Sequence, residues 1–187
     1  ALARTRDHWQ KYMSALSFDM GDRQRNGWLM WVSLQPTLRR IFGCSFLPHF
    51  DYGKGGRGWR DLWQDALALL LTEPAKARQI IESSFRGIRL DGSNATIITK
   101  DGFLADRNKI SRVWMDHGVW PYLTTGSYIE RSADTGILFK KCGYFRDHQL
   151  RRAQKLDPDF CQDDFIQRDR MNRPMAGTIL EHILVQN

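Results

Sequence analysis

Nothing in the cysteine pattern points to a metal or a disulfide framework. Cys44, Cys142 and Cys161 are odd in number, widely spaced and without CxxC grouping, so neither a zinc site nor a disulfide scaffold is expected. Reduced thiols in a cytoplasm are the simplest account. No apolar run approaches the ~20 residues of a membrane span, which leads us to expect a soluble protein. The opening Ala-Leu-Ala-Arg-Thr-Arg-Asp-His has no apolar stretch ahead of a cleavage site, so no secretory signal is visible. Position 1 is not Met, and the natural N-terminus is expected to lie upstream. Period-two alternation, the mark of strands, is almost missing as well.

What is present is enough apolar sequence, 42% of 187 residues, to bury one sizeable core. A formal net charge of +7 favours anionic partners such as phosphate or phosphorylated sugars. The basic residues are spread along the chain with Asp and Glu between them, so a nucleic-acid partner is not expected.

The chain is organised around Lys54-Gly55-Gly56-Arg57-Gly58-Trp59-Arg60-Asp61-Leu62-Trp63-Gln64-Asp65. A glycine-rich cationic loop runs directly into an apolar helix, Ala66 to Leu71. Glycine permits close approach of a ligand, and Trp59 and Trp63 offer flat faces. Positions 61, 64 and 65 share one side of a helix, so donors and acceptors crowd its mouth. That suits a polyhydroxylated ligand such as a sugar. Asp61 with Gln64 three residues on also has the form of an N-cap pair serving only its own backbone.

The run from Gly58 to Asp65 resembles the Gly-aromatic-Arg-Asp-x-x-Gln-Asp signature of the inverting disaccharide phosphorylases of glycoside hydrolase family 94. Two later blocks extend the likeness. Trp114-Met115-Asp116-His117-Gly118-Val119-Trp120-Pro121-Tyr122 is similar to the family's Asp-Asp-x-x-Trp-Leu helix start, and Tyr128-Ile129-Glu130 with Asp134 resembles its Tyr-Ile-x-x-Thr-Gly-Asp continuation. The resemblance implies a mostly α fold, part of an (α/α)6 barrel of antiparallel helix pairs with long loops. Residues 1–17 would be a leading helix or linker, and residues 18–187 the N-terminal portion of the catalytic domain. From periodicity alone the reading stops at mostly helical, with antiparallel pairs.

In chain order, Thr5 to Leu16 carries Trp9, Tyr12, Met13 and Leu16 at helical spacing, a core-like stripe. A long helix is expected from the Ser17-Phe18-Asp19 cap to Ile41, bent or interrupted at Pro36; Asn26 and Trp28 within it resemble the family's Asn-x-Trp-Leu element. Residues 43–58 read as a loop. The organising helix ends near Thr72-Glu73-Pro74, and Pro74 opens a second helix to Ile88 that completes an αα-hairpin. Thr96 to Thr99 reads as a short strand, Asp116 to Ile129 as a helix start and helix, and Thr135 to Lys141 as a short helix. A last helix is expected to open at Arg173-Pro174.

Inversion at a glycosidic bond needs one carboxylic acid to protonate the leaving oxygen and an attacking group on the opposite face. Phosphate, already an anion, replaces the carboxylate-activated water of a hydrolase, and a cationic pocket then supplies positioning. The resemblance implies that Arg60 and Asp61 hold sugar hydroxyls, with Gln64 and Asp65 matching the signature and Asp65 serving either the ligand or the helix. Family members carry an Arg farther upstream, where this chain has Gly55, and either Lys54 or Arg57 would stand in for it. Asp116, His117 and Trp120 complete the sugar-binding set, against capping for Asp116 and packing for Trp120; the Asp116-His117-Gly118 run looks closer to the 1,2-β-glucan branch. The implied partners are an oligosaccharide, inorganic phosphate as co-substrate, and the remainder of the catalytic domain, with a homodimer a further option and no cofactor. The family's general acid, in an Asp-Trp-Asn-Asp motif, lies beyond the equivalent of Asn187, so no catalytic residue is expected in this segment. Two other functions fit these residues: an inverting hydrolase on the same barrel, and a non-catalytic sugar-binding helical domain.

Overall fold

The computed structural model describes residues 1–42, 57–98, 102–104, 115–151, 155–158, 160 and 164–187. Among the described residues six α-helices dominate: α1 (Leu2–Met13), α2 (Arg23–Phe42), α3 (Trp59–Leu69), α4 (Pro74–Ser84), α5 (Val119–Ser132) and α6 (Ile179–Gln186). The described residues also hold seven short strands, β1 (Arg57–Gly58), β2 (Ile97–Ile98), β3 (Phe103–Leu104), β4 (Lys141–Gly143), β5 (Gln149–Arg151), β6 (Lys155–Leu156) and β7 (Ala176–Thr178). They form one three-stranded sheet, β1-β2-β3, and two pairs, β4-β7 and β5-β6.

Helix α3 sets the core. Trp59, Leu62, Trp63, Ala66 and Leu69 recur at three- and four-residue spacing and are all buried, which is the pattern of a helix with one apolar stripe. Trp63 packs edge-to-face on Trp59 and on Phe85, with ring centroids 5.7 and 5.2 Å away. Pro74 opens α4, where its missing N–H is lost to no hydrogen bond. That helix turns Ala77 and Ile81 into the same core. Helix α5 closes it from another side through Pro121, Thr124, Thr125 and Tyr128, and the Thr124 hydroxyl donates to the Trp63 carbonyl at 3.2 Å. Beyond the left-handed Ala133 at φ 58, Asp134 fastens the two helices together. Its carboxylate accepts from Arg78 Nε of α4 at 2.8 Å and from the Tyr128 hydroxyl at 2.9 Å.

Helix α6 is docked by local and non-local means. Its N-terminus carries a capping box, Thr178 Oγ1 accepting from the Glu181 amide while Glu181 accepts from the Thr178 amide. Gly92, at φ +78, sits so close to the Val185 carbonyl that an added Cβ would collide with it, and this close approach seats the end of α6 on the 89–94 turn. Below the turn, Arg89 and Asp147 form a buried ion pair.

The αα-hairpin of α3 and α4, the strand at Ile97–Ile98 and a short 3₁₀ helix at Thr135–Phe139 agree with the sequence reading. Other expectations are corrected. The aromatic stripe of α1 does not enter the core: no residue of that helix is buried, and Tyr12 is tied through its hydroxyl to Thr37 and Thr72. Helix α2 starts at Arg23 and continues through Pro36. Arg173-Pro174 opens no helix, because Ala176 to Thr178 pairs with β4 and α6 begins only after it. The loop expected at 43–58 falls outside the described residues up to position 56. Among the described residues no helix is long and apolar enough to cross a membrane.

Ile81 has no exposed surface and lies in the middle of this cluster. Ile81→Ala is expected to cost about 2–5 kcal/mol, the usual range for deleting such a side chain from a closed core. A urea melt would measure it, and a loss below about 1 kcal/mol would mean that the α3–α4 core is not the centre of stability.

Candidate functional site

Helix α3 begins three residues earlier than the capping reading of Asp61 required. Its N-cap is Gly58, with no side-chain cap bond, and Asp61 stands in its first turn, where a negative charge suits the helix dipole. The Asp61 carboxylate folds back over Gly58, and a Cβ there would collide with it. A side chain at 58 would have to displace this carboxylate.

The turn of 100° per residue that buries Trp59 and Trp63 sends Arg60 outward. Arg60 Nη1 reaches Asp116 Oδ2 at 3.0 Å, and the two side chains are 44% and 42% exposed. Trp120 Nε1 donates to the same carboxylate oxygen at 3.1 Å. Two sequence blocks separated by 56 positions thus meet in one partly open clamp. Asp116 caps nothing with its side chain: the N-cap of α5 is Gly118. Burial alone would push the Asp116 carboxyl up, but the hydrogen bonds from Arg60 and Trp120 together outweigh it and leave it below the ordinary range.

Behind the clamp lies His117, 6% exposed. Its carbonyl accepts from Trp59 Nε1 at 3.1 Å, so the core tryptophan fixes the backbone that carries Asp116. Burial pushes the His117 imidazole down to about 4, against upward pulls from Asp116 and Asp61 and a further downward push from Arg60. The ring is neutral at physiological pH. Asn94 Nδ2 lies 3.1 Å from His117 Nδ1, and Gln186 Nε2 donates to Asn94 Oδ1 at 3.4 Å.

Of the predicted residues, the structure brings together Arg60, Asp61, Asp116, His117 and Trp120. Gln64 is half-buried one turn along α3. The tryptophan faces expected at the helix mouth are corrected, and for Asp65 and Trp120 the structural alternative holds. Trp59 and Trp63 are 1% and 0% exposed and offer no face to a sugar, since their rings fill the core. Asp65 is 3% exposed on the buried side of α3 with Trp63 and Ala66, which closes it to a sugar at the surface. Trp120 packs against the core cluster and turns only its N–H to Asp116. The Arg57 side chain lies outside the described set. Asn94 and Gln186 were missed: Asp91-Gly92-Ser93-Asn94 reads only as a turn, and nothing local announces a histidine 23 positions away.

Among the described residues no group of three or more His, Cys, Asp or Glu is placed to hold a metal ion. A cavity of about 670 Å³ lies elsewhere, lined by Arg86, Phe103, Tyr144, Phe165 and Met175 among others. It includes none of the clamp residues. Compared with known protein families and with curated proteins, the chain matches none.

The neutral His117 makes a pH prediction. The unfolded chain binds a proton on this ring below about 6.5 while the folded one resists until about 4, so stability falls as pH drops through that window. The loss is at most about 3 kcal/mol. Urea melts between these two pH values should record it for the wild type and find it largely removed in His117→Gln; an unchanged slope would show that the ring is not held neutral.

Proposed function

We propose that this chain is a sugar-binding segment of an enzyme that carries out inverting phosphorolysis of β-linked gluco-oligosaccharides, with 1,2-β-glucan as the first candidate and glucose 1-phosphate as product. What carries the reading is the convergence of the two resembling blocks on one partly exposed cluster, Arg60 with Asp116 and Trp120. A guanidinium and a carboxylate that already share a bond at the surface can exchange it for two sugar hydroxyls, one accepting and one donating. An ionised group binds a hydroxyl more strongly than a neutral one does, and an exposed pair is worth little to the fold. The clamp is therefore free to serve a ligand.

On this reading the segment orients the ring, and the general acid and the phosphate site belong to the remainder of the catalytic domain. Large apolar side chains stand exposed on three helices, among them Trp28, Trp31 and Val32 of α2, Tyr122 and Leu123 of α5, and Leu184 and Val185 of α6. Faces of this kind suit helices that pack against further helices, as the proposed (α/α)6 barrel would supply. The cytoplasm is the compartment that goes with free phosphate as co-substrate.

Asp116→Asn removes the charge and keeps the shape. Calorimetric titration with a 1,2-β-linked gluco-oligosaccharide should find affinity about tenfold lower or worse, as expected for one charge-assisted bond. The melting temperature should move by no more than a few degrees. In the enzyme that carries this segment, the same change should suppress glucose 1-phosphate release. Equal affinity in both proteins, or phosphate-independent release of free glucose, would defeat the proposal.

A further inference from the structure

The short 3₁₀ turn Phe85–Gly87 that follows α4 is held at both ends. Phe85 has no exposed surface, and at Gly87 a Cβ would collide with the Trp59 and Phe103 rings. With its neighbours fixed in the core, Arg86 is left exposed, and it lines the cavity of about 670 Å³. Lys141 of β4 lines it too, and both cations also line a smaller cavity of about 240 Å³ that shares this wall. The acidic groups around them are engaged elsewhere. Glu82 pairs with Arg78 at 2.6 Å, Asp164 pairs with Arg168, and Glu181 accepts from the Thr178 amide and hydroxyl. Cys142, in the same wall, is a neutral thiol, pushed up to about 12 by burial. Among the described residues no carboxylate forms an ion pair with Arg86 or Lys141, so this wall carries surplus positive charge.

The rest of the lining is largely apolar, with Phe103, Phe165, Ile166 and Met175. Phe165 is a bulky residue in the left-handed region, at φ 50, a conformation that stores strain and persists only where the surroundings impose it. Its carbonyl accepts from the Arg146 amide at 2.8 Å, and its ring stacks on Phe160 with centroids 6.0 Å apart. These contacts hold a half-buried aromatic side chain on the cavity. The volume is that of a small-molecule site.

We propose that this cavity binds a small ring-bearing carboxylate, with the carboxylate on Arg86 and Lys141 and the ring against Phe103, Phe165 and Met175. A guanidinium can give a carboxylate two parallel N–H bonds, and an aromatic contact adds to the burial of apolar area. A neutral ring leaves the two cations without a partner, and a bare anion gains nothing from the aromatic side chains. The site shares no residue with the Arg60–Asp116 clamp and does not rest on the sugar reading.

Calorimetric titration of the chain with naphthoate tests this, with naphthamide as the neutral analogue and acetate as the charge without the ring. Naphthoate is expected to bind with a Kd of about 1 mM or tighter, and the other two at least about tenfold more weakly. Arg86→Gln, at an exposed position, should weaken naphthoate about tenfold and leave naphthamide unchanged. Carbon-13 labelling of the methionine methyls locates the ring. Naphthoate should shift Met175, and should leave Met30, beside the exposed Trp31 of α2, and the almost fully exposed Met115 where they are. Equal affinity for naphthoate and naphthamide, or no loss in Arg86→Gln, overturns the cationic anchor. Shifts at Met30 or Met115 with Met175 unmoved put the ring on an exposed face and overturn the site, as does a wild-type chain that binds no naphthoate at millimolar concentration.

Discussion

Burial of Trp59 and Trp63 on one side of α3 is the constraint from which the rest follows. The two indoles, packed on each other and on Phe85, fix the rotation of the helix about its axis, and with it the direction in which residue 60 must point. The Trp59 N–H then reaches across to the His117 carbonyl, so the same side chain that anchors the core also sets where Asp116 begins. Deleting either ring would open a large cavity and release that rotation. The clamp is thus a consequence of core packing as well as of its own ion pair, which by itself is too exposed to hold the helix and the Asp116 turn together.

Two of the arginine–aspartate pairs among the described residues make a useful contrast. Arg89 and Asp147 are 5% and 4% exposed, and the guanidinium also donates to the Gln149 carbonyl. Removing one partner there would strand a buried charge, a loss of several kcal/mol, so neither member is available for a ligand. Arg60 and Asp116 have about two-fifths of their surface in solvent. For them water is already a competitor, and replacing it by hydroxyls costs little. Burial, and not residue type, sorts the structural pair from the functional candidate.

Much of the helical frame was legible because its signals are local. The three-and-four spacing from Trp59 to Leu69 and the proline at position 74 mark α3 and α4 without any tertiary information. The resembling motif, in contrast, contains residues of both kinds, and sequence alone could not tell that its tryptophans and Asp65 face inward while Arg60 faces outward. The error at the chain's end has a related origin. Thr178-Ile179-Leu180-Glu181 is a readable capping box, but the preceding Ala176 to Thr178 becomes a strand only because β4 lies alongside it. Asn94 was beyond reach for the same reason: its partners are His117 and Gln186, 23 and 92 positions away.

The protonation states of the cluster limit what chemistry it can perform. A general acid for glycosidic cleavage has to keep its proton near neutral pH, which takes burial among apolar or like-charged groups. Asp116 has the opposite surroundings, since Arg60 and Trp120 hold its carboxyl below the ordinary range. Nor can His117 act as an acid near neutral pH, with its ring pushed down to about 4 by burial and therefore already neutral there. A site made of an ionised carboxylate, a guanidinium and a neutral imidazole is equipped to orient a polar ring and stabilise charge. On the proposed phosphorolysis reading, the proton that cleavage requires comes from another group and this cluster serves as a binding wall.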